Sequence, residues 1–200
     1  MVTVIGVDPS LQCTGVCVWV DGRVKTFSVK TSTDDHRVVR ETRIAEAVLP
    51  YVDPRVPMLA IVEGVYQGGF GRTSLDLAGL HDVLVYEFHR RGVRIGVPAA
   101  KSVKLFATQN GNANKKDMVA FARTHLAVFV ANHNEADALW MAAMGVVAMG
   151  GQVHNSWPPI SDEPEYVAEQ RVRAHALSKV TWIGGEPGLL LRGTGPWNNS

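Results

Sequence analysis

The stretch Val2 to Val20, VTVIGVDPSLQCTGVCVWV, decides how the rest of the chain folds. Val2, Val4, Ile5 and Val7 are β-branched and no charge interrupts them, so they read as a strand buried on both faces. Asp8 ends that strand. Pro9, which has no amide proton, stops ladder pairing just beyond it. Thr14 to Val20 resumes the strand pattern, and Asp21-Gly22 is a two-residue hairpin signal leading into Val24 to Val29. The chain therefore opens as a meander that carries one carboxylate at its lip. Such a carboxylate costs free energy unless a cation or hydrogen bonds compensate it; a turn-forming Asp is the alternative reading.

Working outward, the same pattern returns. Val38 to Leu49 has helical spacing, prolines at 50, 54 and 57 break the chain, and the apolar run Leu59 to Val62 ends at once in Glu63. The glycine-rich segment Gly64 to Gly71 follows as a loop bearing Tyr66 and Phe70. Thr73 or Ser74 can cap the next helix, which runs to about Arg91 with Leu77, Leu80, Leu84 and Phe88 on one stripe and Gly92 as its stop. Val93 to Val97 reads as a strand, Ala99 to Thr108 as a short basic helix, Lys115 to Val130 as a longer one, and Glu135 to Met149 as an apolar helix with Asp137 in its first turn. A meander followed by alternating strands and helices predicts an α/β fold, a mixed sheet flanked by helices. Three acids then fall at two strand ends and one helix start, where they can converge.

Composition narrows the class. The 200 residues are 46% hydrophobic and 20% charged, which is ordinary for a globular chain. The N-terminus lacks the pattern of a secretory signal, and Ala138 to Gly151, the longest uncharged apolar segment, falls short of the roughly 20 residues of a membrane span. The expectation is a cytoplasmic protein without membrane contact. Cys13 and Cys17 are the two cysteines. Four strand steps separate them by about 13 Å, too far for a disulfide, and two thiols alone make a poor zinc site; they read as reduced packing residues. Net charge is only +1, yet from His89 to Lys116 the chain carries Arg90, Arg91, Arg94, Lys101, Lys104, Lys115 and Lys116 and no acid. Such a block suits a phosphate-binding face, with scattered solvated lysines as the plain alternative.

With these residues in view, the sequence resembles the RuvC Holliday-junction resolvases of the ribonuclease H-like fold, and especially their phage-encoded relatives. Four ordered blocks carry the resemblance: IGVDPSLQCTG around Asp8, LAIVEGVY around Glu63, PAAKSVKLFATQNGNANKKDM from Pro98 to Met118, and NEADALWMA around Asp137. It covers about residues 2 to 150. The resemblance implies a nuclease domain over residues 1 to 150; outside it, residues 151 to 200 read as an extension containing one helix, Tyr166 to Val180, and a Gly/Pro-rich end. Docking of that helix through Val167, Val172, Ala174 and Leu177 is the expectation, with Arg171, Arg173 and Lys179 as residues that could face DNA.

What the resemblance implies for the site is specific. Asp8, Glu63 and Asp137 would bind Mg2+, with Mn2+ as an alternative, and Lys115 would join them in catalysis. Tyr66, Arg72, Lys101, Lys104, Lys115 and Lys116 would contact branched DNA, and Tyr66 and Phe70 could stack on unpaired bases. A homodimer is expected through Ser74 to Arg91, where small Ala78 and Gly79 allow close approach; the stripe of Leu77, Leu80, Leu84 and Phe88 facing the core is the competing reading. The activity implied is metal-dependent cleavage of four-way junctions and other branched DNA, in host cytoplasm if the chain is phage-encoded.

The chain departs from the family at one position. A second acid usually stands one helical turn before the last Asp, and here that residue is Asn134. An Asn carbonyl can ligate a hard cation without adding charge, or Asn134 can cap the helix with Asp137 at its third position. Glu135 is no substitute, because residues two apart on a helix do not share a face. A non-cleaving DNA-binding protein of the same fold and a ribonuclease H-like nuclease acting on hybrids or flaps are the alternatives. An actin-like phosphotransferase would need two such domains, for which the chain is too short.

Overall fold

The computed structural model describes residues 2–65, 72–151, 153 and 164–184. The opening meander forms as expected. Strand β1 (Thr3–Asp8) pairs antiparallel with β2 (Cys13–Val20), which pairs antiparallel with β3 (Arg23–Lys30). The β2–β3 turn needs positive φ at both central residues, and Asp21 and Gly22 adopt 45° and 82°. Helix α1 (Arg37–Val48) and a short 3₁₀ turn, Leu49–Tyr51, lead to β4 (Met58–Val62), which lies parallel to β1. Helix α2 (Arg72–His89) then returns the chain to β5 (Arg94–Val97), parallel to β4. Because α2 already begins at Arg72, Thr73 and Ser74 lie in its first turn rather than capping it. Gly92 closes it with φ of 73°.

Helices α3 (Ala100–Thr108), α4 (Lys115–His125) and α5 (His133–Ala148) follow. Helix α4 stops five residues before Val130, where its apolar periodicity predicted its end. The chain turns at Ala127, with φ of 51°, and still buries Leu126 and Val130, so the apolar spacing persists where the helix does not. Helix α6 (Pro164–Leu177) packs on α3, and β6 (Thr181–Ile183), absent from the sequence expectation, pairs antiparallel with β5. The sheet order is β3-β2-β1-β4-β5-β6, with helices on both faces.

Strand alternation sorts the core into two layers. Ile5, Val7, Val16, Val18, Ala60 and Val62 pack against α1 and α2. Leu80, Leu84 and Phe88 are fully buried there, so the stripe on α2 belongs to this core. A Cβ on Gly79 would lie 2.9 Å from Glu41 Oε1, so this glycine faces α1. Val4, Cys17, Trp19, Leu59 and Ile61 point the other way, toward α3 to α6. Helix α5, buried almost all round, lies across β1, β2 and β4 at close range. Two glycines allow it. A Cβ on Gly6 would lie 2.1 Å from the Ala138 carbonyl, and one on Gly15 would lie 2.0 Å from the Asn134 carbonyl.

Candidate active site

The sheet register brings two of the three acids together. Gly6 pairs with Ile61 and Val7 with Val62, and the Glu63 amide donates to the Val7 carbonyl at 3.1 Å. Asp8 and Glu63 therefore end neighbouring parallel strands. Both continue the strand positions (Val4 and Gly6; Leu59 and Ile61) that face α5. Asp137, one turn into α5, comes down onto this end of the sheet.

Electrostatics record the meeting. Burial raises the Asp8 carboxyl well above its usual range, and the charges of Glu63 and Asp137 raise it further against the pull of Lys115. Burial and then Asp137 push Glu63 up to about 7, opposed by Lys104. Burial pushes Asp137 up to about 6, opposed by Lys104 and Lys115. Three carboxylates thus share one field, with two lysines at its edge. Among the described residues no three His, Cys, Asp or Glu side chains are gathered into a ready-made cage. Asp137 Oδ1 is buried without a hydrogen-bond partner among the described residues.

These residues fit a hard divalent cation. The donors are carboxylate oxygens, one of them is an orphaned buried acceptor, and like charges held together in a poorly solvated site call for a cation. A pre-formed cage is not required for magnesium, which keeps several waters and binds through one or two carboxylates with substrate phosphate.

The neighbouring side chains fall into distinct roles. Lys104 on α3 reaches the field of Glu63 and Asp137. Lys115, the first residue of α4, lies 2.8 Å from Nε2 of His133, the first residue of α5. Burial and the Lys115 charge lower the His133 pKa, so the neutral ring accepts from the ammonium. Lys116 is exposed on the outer face of α4. The Lys101 stem packs over the α3–α4 turn, where a Cβ on Gly111 would lie 2.9 Å from it. Tyr66, Phe70 and the side chain of Arg72 lie outside the described residues.

The departure at Asn134 also resolves structurally. Its Nδ2 donates to the Cys13 carbonyl at 2.8 Å, tying the start of α5 to β2. The helix cap is instead Asn132, whose side chain accepts from the Glu135 amide at 3.0 Å. Asp137 is therefore not the third helical position, and the alternative of an Asn134–Asp137 cap is not realised. Glu135 is buried on the opposite side, accepting from Thr26 Oγ1, Ser28 Oγ and the Ala131 amide. It anchors α5 to β3.

Beyond the site, Cys17 is a buried free thiol and burial pushes its pKa up. Arg173 does not face DNA: it is 2% exposed, pairs with Glu169, and donates from Nε to the Phe106 carbonyl of α3 at 3.4 Å. Ala176, rather than Ala174, is the small residue buried by the docking of α6. Among the described residues no helix is long and apolar enough to cross a membrane.

Comparison with known proteins points to one family. The family model described as crossover junction endodeoxyribonuclease RuvC matches residues 4–145. Curated proteins of that name resemble the chain: that of Corynebacterium efficiens is 29% identical over 147 residues, covering 70% of this chain and 66% of the relative. That of Corynebacterium glutamicum is 30% identical over 121 residues, covering 58% and 55%. That of Bdellovibrio bacteriovorus is 27% identical over 145 residues, covering 70% and 86%. The chain thus spans no more than about two thirds of the two Corynebacterium relatives. Thermus thermophilus RuvC superposes with TM-score 0.57 at 21% identity, covering 74% of this chain and 96% of that one. The same protein in complex with Holliday junction substrate gives 0.61 at 20%, covering 75% and 97%. Sheet order, helix placement and these superpositions establish the ribonuclease H-like fold, and with the match over residues 4–145 they place this chain in the RuvC family.

Proposed function

We propose that the chain is a divalent-metal-dependent endonuclease that hydrolyses phosphodiesters in branched DNA, four-way junctions first among them. The observation that carries this reading is the shared field of Asp8, Glu63 and Asp137, flanked by Lys104 and Lys115. Asp8, Glu63 and Asp137 would hold the cation, Mg2+ or alternatively Mn2+. A bound ion of this kind supplies Lewis acidity and a water of lowered pKa.

The remaining work falls to the chain's own side chains. Lys104 and Lys115 hold an anionic phosphate beside the carboxylates and offset the charge that develops on it. His133, accepting from Lys115, fixes where that ammonium points. Burial of the three carboxylates lowers the local dielectric, which strengthens each of these interactions. Lys101, Lys116, Arg72 and Tyr66 serve DNA binding, and Asn134 contributes at most an uncharged oxygen. Paired incision of a two-fold junction needs a symmetric dimer. Exposed Leu75 and Tyr86 on α2 provide a surface for it. The protein would act in the cytoplasm; that it is phage-encoded is part of the proposal, the relatives named above being bacterial.

A specific observation favours one second reading, a junction-binding protein that does not cut. Asn134 brings no charge, and its amide is already bonded to Cys13. Incubating the purified protein with a labelled four-way junction and a linear duplex, with and without magnesium, separates the two. Magnesium-dependent nicking of the junction supports the nuclease; tight binding with intact strands supports the binder.

A further inference from the structure

Helix α4 carries an open groove of about 390 Å3, and Lys115 in its lining also acts by its charge on Asp8 and Asp137. Lys115, Lys116, Val119, Ala120, Arg123 and His133 line it. No acid is among them. Asp117, the one acid on this helix, bonds back to the Asn114 amide in a capping box, and Glu135 is buried against β3. Among the described residues, no carboxylate lies within ion-pair distance of Lys115, Lys116 or Arg123.

Arg123 is held in place without being neutralised. One guanidinium nitrogen donates to the Val130 carbonyl at 3.2 Å, and the group lies 5.4 Å from the centre of the Phe129 ring. A guanidinium has five N–H donors, so most still face outward. Phe129 itself is 77% exposed, carried out by the turn at Ala127. An aromatic ring in water beside a fixed cation contributes nothing to the core, yet it presents a flat apolar face to a base or sugar.

We propose that this face of α4 is a track for DNA leading away from the scissile phosphate. Lys116 and Arg123 take backbone phosphates and Phe129 packs against the nucleotide beside them. Seven residues of helix, two turns, separate the two cations by about 11 Å on one face, far enough apart to take different phosphates. Because Lys115 belongs both to this lining and to the field of the acids, the groove favours a nucleic acid over an acidic peptide. The proposal rests on the nuclease reading and adds to it a contact remote from the reacting phosphate.

The test uses the full chain in magnesium-free buffer, with a labelled long-armed junction, followed by anisotropy across a salt series. Each lost phosphate contact lowers the slope of log affinity against log salt by about 0.9. Arg123→Ala should show that drop and Arg123→Lys should restore the slope, while Phe129→Ala weakens binding without changing it. An Arg123→Ala protein with the parental slope, alongside Lys115→Ala with a reduced one, overturns the track and leaves the nuclease reading intact. A parent protein that binds no DNA brings down both.

Discussion

The carbonyl oxygen of Asn134 stands 2.0 Å from where a Gly15 side chain would begin, so the start of α5 rests on bare backbone of β2. Gly15 is also the cross-strand partner of Asp8. The absence of one methyl group therefore sets how near Asp137 comes to Asp8. Gly15→Ala should destabilise the fold by about 1–3 kcal/mol, as overpacking does, and should lower cleavage by more than the unfolded fraction explains. Urea denaturation and cleavage measured on the same preparation check this; activity that merely tracks the folded fraction contradicts it.

Asp8→Asn removes a ligand and a charge while keeping the side-chain shape. Cleavage should disappear, with junction binding kept or tightened because less negative charge faces phosphate. Gel-shift and nicking assays on the purified variant decide the matter, and a variant that still cuts refutes the role of Asp8.

The raised carboxyls make metal-free stability depend on pH. From ordinary values of 4.5 and 3.8, Glu63 rises to about 7 and Asp137 to about 6. The folded state binds protons that the unfolded chain has released, so this stability is complete below about pH 4 and is lost as pH climbs through 6 and 7. Melting temperature in chelator should fall from pH 5 to pH 8, Glu63→Gln should flatten that fall, and magnesium at pH 8 should reverse it. A flat profile would show that folding does not raise these carboxyls.

The two lysines should be separable by pH. Lys104 lowers Glu63, whereas Lys115 lowers Asp8, and both lower Asp137. Both alanine variants should cut more slowly and bind with a shallower salt dependence. Removing Lys104 should also move the rising limb of the pH–rate profile upward, because Glu63 then ionises later. An unmoved limb would place Lys104 outside the site.

Arg173 joins α6 to α3, the helix that carries Lys104. Arg173→Ala leaves Glu169 without its cation and should cost about 3 kcal/mol, read as a lower urea midpoint. A midpoint unchanged within error would mean that α6 contributes no stability.

The two strand-borne acids were legible because period-two alternation and a shared parallel register fix both their position and their face. That Asp137 could converge with them was legible from its place at a helix start, and the resemblance made it specific. The physical device behind it, Gly6 and Gly15 making room for α5, looks in sequence like two ordinary strand glycines. Asn132 took the capping role that spacing assigned to Asn134, since the helix starts two residues early. Arg173 read as a surface cation because helical periodicity cannot reveal a carbonyl waiting on another helix. Strand β6 went unseen because three residues give too short a pattern, and only the open edge of β5 makes a strand of them.

That last strand has a consequence for synthesis. Asp8, Glu63 and Asp137 have all left the ribosome before Thr181–Ile183 exists, so the nascent domain can assemble its acids while the amides and carbonyls of Arg94–Val97 still lie bare. An uncovered strand edge invites pairing with another chain. For this protein the hazardous interval of biogenesis is the translation of the roughly eighty residues after Val97, and slowing it should favour aggregates.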